Sequence, residues 1–145
     1  MSFETWHDYG FGFCVDNITT TAEKINKLIS YAPEFEKVVK EYFSNLGILN
    51  PSMEDFEDLD QDFMNGLAYI IVEVIMEAED ILLLHTCDYN GCRYVILTPS
   101  YPWAKVSEKH KNLTLNSLTD IYKKYLSILT DEEIDLDYQS IENGG

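Results

Sequence analysis

Positive charge is scarce in this chain. Ten lysines and arginines stand against 26 aspartates and glutamates, a formal net charge of −16 over 145 residues. A surface of that sign repels phosphate backbones and anionic lipid, which disfavours direct nucleic-acid or membrane-surface binding. Long apolar runs are missing too. The longest, Leu67 to Met76, is interrupted by Glu73 and is too short to span a bilayer. The start, Met1-Ser2-Phe3-Glu4-Thr5-Trp6, has no basic stretch ahead of an apolar one, so no secretory signal is read and a cytoplasmic location is expected. Cysteine is confined to Cys14, Cys87 and Cys92, an odd count that argues against a disulfide framework in such a compartment. The sequons at Asn17 and Asn112 carry no weight for the same reason. Phosphate-binding glycine loops and serine elbows are likewise missing.

What is present reads as one folded domain over residues 1–145. Apolar residues make up 46% and aromatics 13% of the chain, in periodic blocks separated by turn signals. Tyr9 to Val15 alternates aromatics with Gly10, Gly12 and Cys14, which predicts a strand with close packing over its glycine face. Thr20 and Glu23 form a capping box ahead of a helix carrying Ile25, Leu28 and Ile29. Pro33 opens a second helix lined by Phe35, Val38, Val39, Tyr42, Phe43 and Leu46, and Gly47 ends it. Asn50-Pro51-Ser52 marks a turn with Ser52 as an N-cap, and a short acidic helix or loop follows around Met53 to Asp58. Residues 61–77 are apolar on more than one face, so they predict the central helix. Asn90-Gly91 between the runs 81–87 and 92–98 predicts a hairpin, with Leu82, Leu84, Val95 and Leu97 on one face. The other face then holds His85, Cys87, Cys92 and Tyr94. Thr98-Pro99-Ser100-Tyr101-Pro102-Trp103 cannot be regular structure. Thr114 or Asn116 starts a last helix, and Ile134, Leu136 and Tyr138 alternate as a final strand. The order predicts an α+β fold, a small and mostly antiparallel sheet with helices packed on one face.

Several constellations bear on chemistry. Asp58, Asp60 and Asp62 resemble the opening of a calcium loop, but Phe63 replaces the required glycine and Tyr69 the bidentate glutamate. His85, Cys87 and Cys92 offer three zinc ligands where four are wanted, with Cys14 as the nearest fourth. A Cys14–His85 nucleophile pair is conceivable by residue type, yet Gly12-Phe13-Cys14-Val15 reads as a strand interior rather than an activated elbow. Neither a metal nor another cofactor is therefore expected. Residues 54–62 concentrate Glu54, Asp55, Glu57, Asp58, Asp60 and Asp62 around Phe56 and Leu59, a patch that could complement a basic surface. Acid gathers again from Asp131 to Asp137. Tyr101 and Trp103, on a proline-rich loop, are candidate aromatic anchors for a partner.

The stretches Trp6-His7-Asp8-Tyr9-Gly10-Phe11-Gly12-Phe13-Cys14-Val15-Asp16 and Asp137-Tyr138-Gln139-Ser140-Ile141-Glu142-Asn143-Gly144-Gly145 resemble a small uncharacterised family of bacterial proteins, and the Thr98-to-Trp103 segment fits the same family. The resemblance implies a bacterial cytosolic protein associated with mobile elements, and it supplies no catalytic residues. The sequence thus points to a non-catalytic module that engages a basic protein partner, of the immunity or inhibitor kind, with Glu54, Asp55, Glu57, Asp58, Asp60, Asp62, Tyr101 and Trp103 as its contact residues. Two other readings accompany it. One is a nucleic-acid mimic that blocks a DNA- or RNA-binding enzyme. The other is a cysteine- or metal-dependent enzyme centred on Cys14, His85, Cys87 and Cys92. Self-association is compatible with this composition.

Overall fold

The strand β1, Thr5–Cys14, organises the sheet because it pairs along both of its edges. The structure, a computed structural model, describes residues 5–59, 66–98 and 106–144, the side chains of 5–7 and 143–144 lying outside that description. Strands β2 (Leu84–Cys87), β3 (Arg93–Leu97) and β4 (Asp137–Gly144) complete an antiparallel sheet in the order β2-β3-β1-β4. β4 runs along Thr5 to Gly12 of β1, and β3 along Phe11 to Cys14. Six helices accompany it among the described residues: α1 Ala22–Ile29, α2 Pro33–Asn45, α3 Met53–Glu57, α4 Gly66–Glu79, α5 Glu108–Lys111 and α6 Leu115–Leu129. The fold is α+β, as the sequence order implies.

Local chemistry explains most helix ends. The cap of α1 is Thr21, one residue beyond the expected Thr20, and its hydroxyl accepts the Lys24 N–H at 3.3 Å. Ser52 and Asp55 form the reciprocal box of α3, and Thr114 with Ser117 that of α6. α2 has no capping side chain of its own. Glu77 of α4 supplies one from a distance, taking the Glu34 and Phe35 N–H groups at 3.0 and 2.9 Å. A carboxylate there also meets the positive end of the helix dipole. Beyond Asn45, the Ile48 N–H returns to the Phe43 carbonyl at 2.9 Å and closes the helix around Gly47.

The main core lies between the helices and one face of the sheet. Phe11, Phe13, Val15 and Val95 meet Ile25 and Leu28 of α1, the almost wholly buried Leu67 to Ile75 of α4, and Leu118, Tyr122 and Leu126 of α6. Tyr122 donates from its hydroxyl to the Phe11 carbonyl at 2.8 Å, tying α6 to β1, and burial raises its pKa. On α2 only Phe35, Val39 and Phe43 are buried. Val38, Tyr42 and Leu46, expected to line the same core, face outward. The stripe inferred from sequence was wider than the face α2 presents to its neighbours.

The hairpin differs from expectation by one residue. A loop of even length would place Leu84 with Val95 and Leu97. Instead Asp88 pairs with Cys92, and Tyr89-Asn90-Gly91 form a three-residue loop with Gly91 at φ 80°. That left-handed position suits glycine and generates a bulge. Asp88 Oδ1 braces the loop by accepting the Asn90 and Cys92 N–H groups at 2.8 and 3.0 Å. An odd loop reverses the side-chain parity of one strand against the other. His85 and Cys87 therefore share the helix-facing side with Val95 and Leu97, while Leu84, Thr86, Tyr94 and Ile96 share the other.

That other face is covered by the sheet itself. The edge strands β2 and β4 approach one another, and Thr86 of β2 donates to Asp8 of β1 at 2.7 Å across the intervening β3. Ile96 and Ile141 are buried there, at 0% and 2% exposure, outside the main core. The curl depends on Gly12. A Cβ on that residue would land on the Val95 carbonyl oxygen, backbone that cannot swing aside. The expected close approach over the glycine face is therefore made by the backbone of β3. The final strand starts at Asp137, so Ile134 and Leu136 precede it and pack against the core from a loop.

The short α5 has no counterpart in the sequence reading. Its His110 is buried and accepts the Leu82 N–H on Nδ1 at 3.1 Å, and burial lowers its pKa. Glu79 is also mostly buried. Burial opposes its ionisation, but the Lys109 contact at 2.8 Å, the charge of Lys124 and the Tyr125 hydroxyl prevail and hold its pKa below the ordinary value. In turn Tyr125 is pushed up to about 12 by burial and by Glu79. A lowered histidine pKa contributes stability that is complete above the unfolded value of 6.5 and lost as pH falls through the folded one. Glu79 behaves alike from 4.5 downward. Glu73, raised by burial and by Glu77, acts in the opposite sense. Urea midpoints measured from neutral to acidic pH should therefore begin to fall below 6.5, and His110→Gln should flatten that first decline.

Candidate functional site

The cysteine–histidine set does not assemble. Cys14 lies opposite Tyr94, on the face that β2 fills with Leu84 and Thr86. His85 and Cys87 point the other way, and the ring of His85 meets the edge of Tyr69 at 6.1 Å. The grouping of His85, Cys87, Cys92 and Tyr94 on one face fails because the hairpin loop is odd. Among the described residues, no three His, Cys, Asp or Glu side chains are placed to hold a metal ion. Cys92 does lie near Cys14 and Asp16. Partial burial, then the charges of Asp88 and Asp16, push its thiol up, opposite to the shift that activates a cysteine.

The acidic segment before α4 has largely internal duties where the structure describes it. Asp55 Oδ2 accepts the Ser52 N–H at 2.8 Å as half of the α3 capping box. Glu57 accepts Arg93 Nη1 at 3.0 Å. Phe56 and Leu59, the apolar residues that the acids surround in sequence, are not part of a surface patch but buried, at 1% and 4%. Among the described residues, Glu54 and Asp58 remain as the exposed acids of this segment. Asp60, Asp62, Phe63, Met64, Tyr101 and Trp103 lie outside the described residues, as does the proline-rich loop from Pro99 to Trp103.

Arg93, the one arginine in the chain, is committed to the fold. Its Nε and Nη2 meet Asp16 Oδ1 at 2.8 and 2.7 Å, and its backbone N–H reaches Asp16 Oδ2 at 3.1 Å. With Glu57 on Nη1, it joins β3, the turn after β1, and α3.

Among the described residues, negative charge is left most open between α6 and β4. Asp131, Glu132, Glu133, Asp135 and Asp137 are all exposed. Asp131 has a long contact with Lys24, at 3.9 Å, and the other four meet no cation among the described residues. Ile134 and Leu136 pack inward and hold this run in place. The run leads directly into Tyr138, whose ring stacks on Tyr9 at 5.8 Å and 9°, with Phe11 edge-on at 5.3 Å. Both tyrosines are half exposed. Beside them lies a notch of about 180 Å³ between β1, the end of β3 and the start of α6. Sequence reasoning placed Tyr9 in the alternation of the first strand and Tyr138 in that of the last. It missed the notch because the start of α6 borders the tyrosines without covering them.

No family model, curated protein or solved structure matches the chain.

Proposed function

We propose that this protein is a non-catalytic binding module whose acidic surface engages a basic protein partner, in the manner of an immunity or inhibitor protein. The supporting observation is the carboxylate run at 131–137, anchored by two apolar side chains and almost without cations of its own. A fixed patch of one sign raises the encounter rate with an oppositely charged surface and selects against partners of like charge. Glu54 on α3 and Asp58 just after it add exposed charge. Of the rest of the contact set proposed from sequence, Asp55 and Glu57 are engaged within the fold, and Asp60, Asp62, Tyr101 and Trp103 remain part of the reading. The family resemblance, and with it a bacterial cytosolic setting, belongs to the same reading.

Capture from cells that make the protein tests the proposal. The tagged chain should retain a protein of basic isoelectric point, and retention should fall as salt screens the surface charges. Neutralising the run by Glu132→Gln, Glu133→Gln, Asp135→Asn and Asp137→Asn should weaken retention more than neutralising Glu54 and Asp58. Retention that ignores both salt and these substitutions would refute the reading.

A further inference from the structure

Apolar side chains exposed without structural purpose are informative when they surround a depression. Tyr9, Tyr138 and Leu115 are 48%, 53% and 49% exposed, and with Phe11, Leu97 and Leu113 they line the notch described above. Among the described residues, none that lines it is charged. The volume suits a single bulky side chain rather than a drug-sized ligand, for which pockets are larger. Paired tyrosines beside such a pocket are typical of interface anchoring points. The acidic run enters β4 at its rim, since Asp137 immediately precedes Tyr138 and pairs with Gly12 next to Phe11.

We infer that the notch receives one large apolar side chain from a basic peptide segment, whose lysines and arginines lie along the carboxylates of 131–137. This inference rests on the basic-partner reading and names the surface that serves it. Charge complementarity selects this occupant. A second copy of the chain would bring the same carboxylates against themselves, and a neutral apolar molecule would leave them unused.

A random-peptide library displayed on phage, selected on the purified chain at low salt, provides the probe. Enriched peptides should combine lysine or arginine with a bulky apolar residue. Changing that residue to serine in the synthetic peptide should weaken binding about tenfold or more, a difference of about 1.4 kcal/mol. Leu115→Ser, a half-exposed position in the first turn of α6, should weaken the parent peptide similarly and leave the melting temperature unchanged. Tyr138→Ser serves as the second variant. Asp135→Asn with Asp137→Asn should weaken the parent and serine peptides alike. If basic peptides are enriched but Leu115→Ser and Tyr138→Ser bind them undiminished, the notch assignment fails while the basic-partner reading stands. Enrichment of acidic or uncharged peptides, or of none, would overturn both. A dimer that Leu115→Ser dissolves would also overturn the assignment, by giving the notch to a second copy.

Discussion

Alanine at Gly12 is expected to destabilise the protein by about 3 kcal/mol or more, beyond the usual cost of one extra methyl group in a core. The added Cβ meets the Val95 carbonyl oxygen and also crowds the Ile96 Cα. Neither can move without displacing β3 from β1. Displacing β3 would in turn open the curl that buries Ile96 and Ile141 and lets Thr86 reach Asp8. Urea denaturation of Gly12→Ala, followed by circular dichroism, checks this. A loss below about 1 kcal/mol, the size of an ordinary strand substitution, would show that the two strands are not held at that spacing.

Removing the Arg93 side chain should cost about 2–3 kcal/mol. Breaking a buried ion pair by deleting one partner typically costs about 3–5 kcal/mol, because a charge is left uncompensated. Here the guanidinium is 14% exposed, but Asp16 and Glu57 are 33% and 36% exposed, so solvent screens part of the loss. Arg93→Lys should recover only a minority of it, since one ammonium cannot reproduce the planar fork that spans two carboxylates. A double-mutant cycle with Glu57→Gln isolates the α3 arm. Coupling near zero would mean that α3 is held by Phe56 packing alone.

Both predictions concern features that the sequence disclosed unevenly. The alternation of Gly10 and Gly12 with aromatics announced a close approach, and β3 makes it. The central helix was legible because Leu67, Ala68, Ile70, Ile71, Val74 and Ile75 leave no polar face wide enough for solvent. Ser52 was legible as a cap, and Thr114 as one of two candidates beside Asn116, because side chain and backbone bond within a few residues. Long-range contacts were not. Nothing local to Glu77 shows that it caps α2, and nothing local to Arg93 shows that Asp16 and Glu57 will converge on it. The hairpin is the instructive case. Asn90-Gly91 located the turn correctly, but the dipeptide serves loops of different length. One residue of difference separated His85 and Cys87 from Tyr94 and dissolved the proposed ligand cluster. The acidic patch at 54–62 changed for a related reason, since charge runs give no sign of which members the fold will use. Asp55 and Glu57 were used; the run at 131–137 was left open.

The affinity of the chain for its captured basic partner, measured as a function of salt, tests the central proposal most directly. Affinity should fall steeply as salt rises, and the 131–137 neutralised variant should both bind more weakly and respond less to salt. An affinity unchanged by salt and by those four substitutions would contradict it.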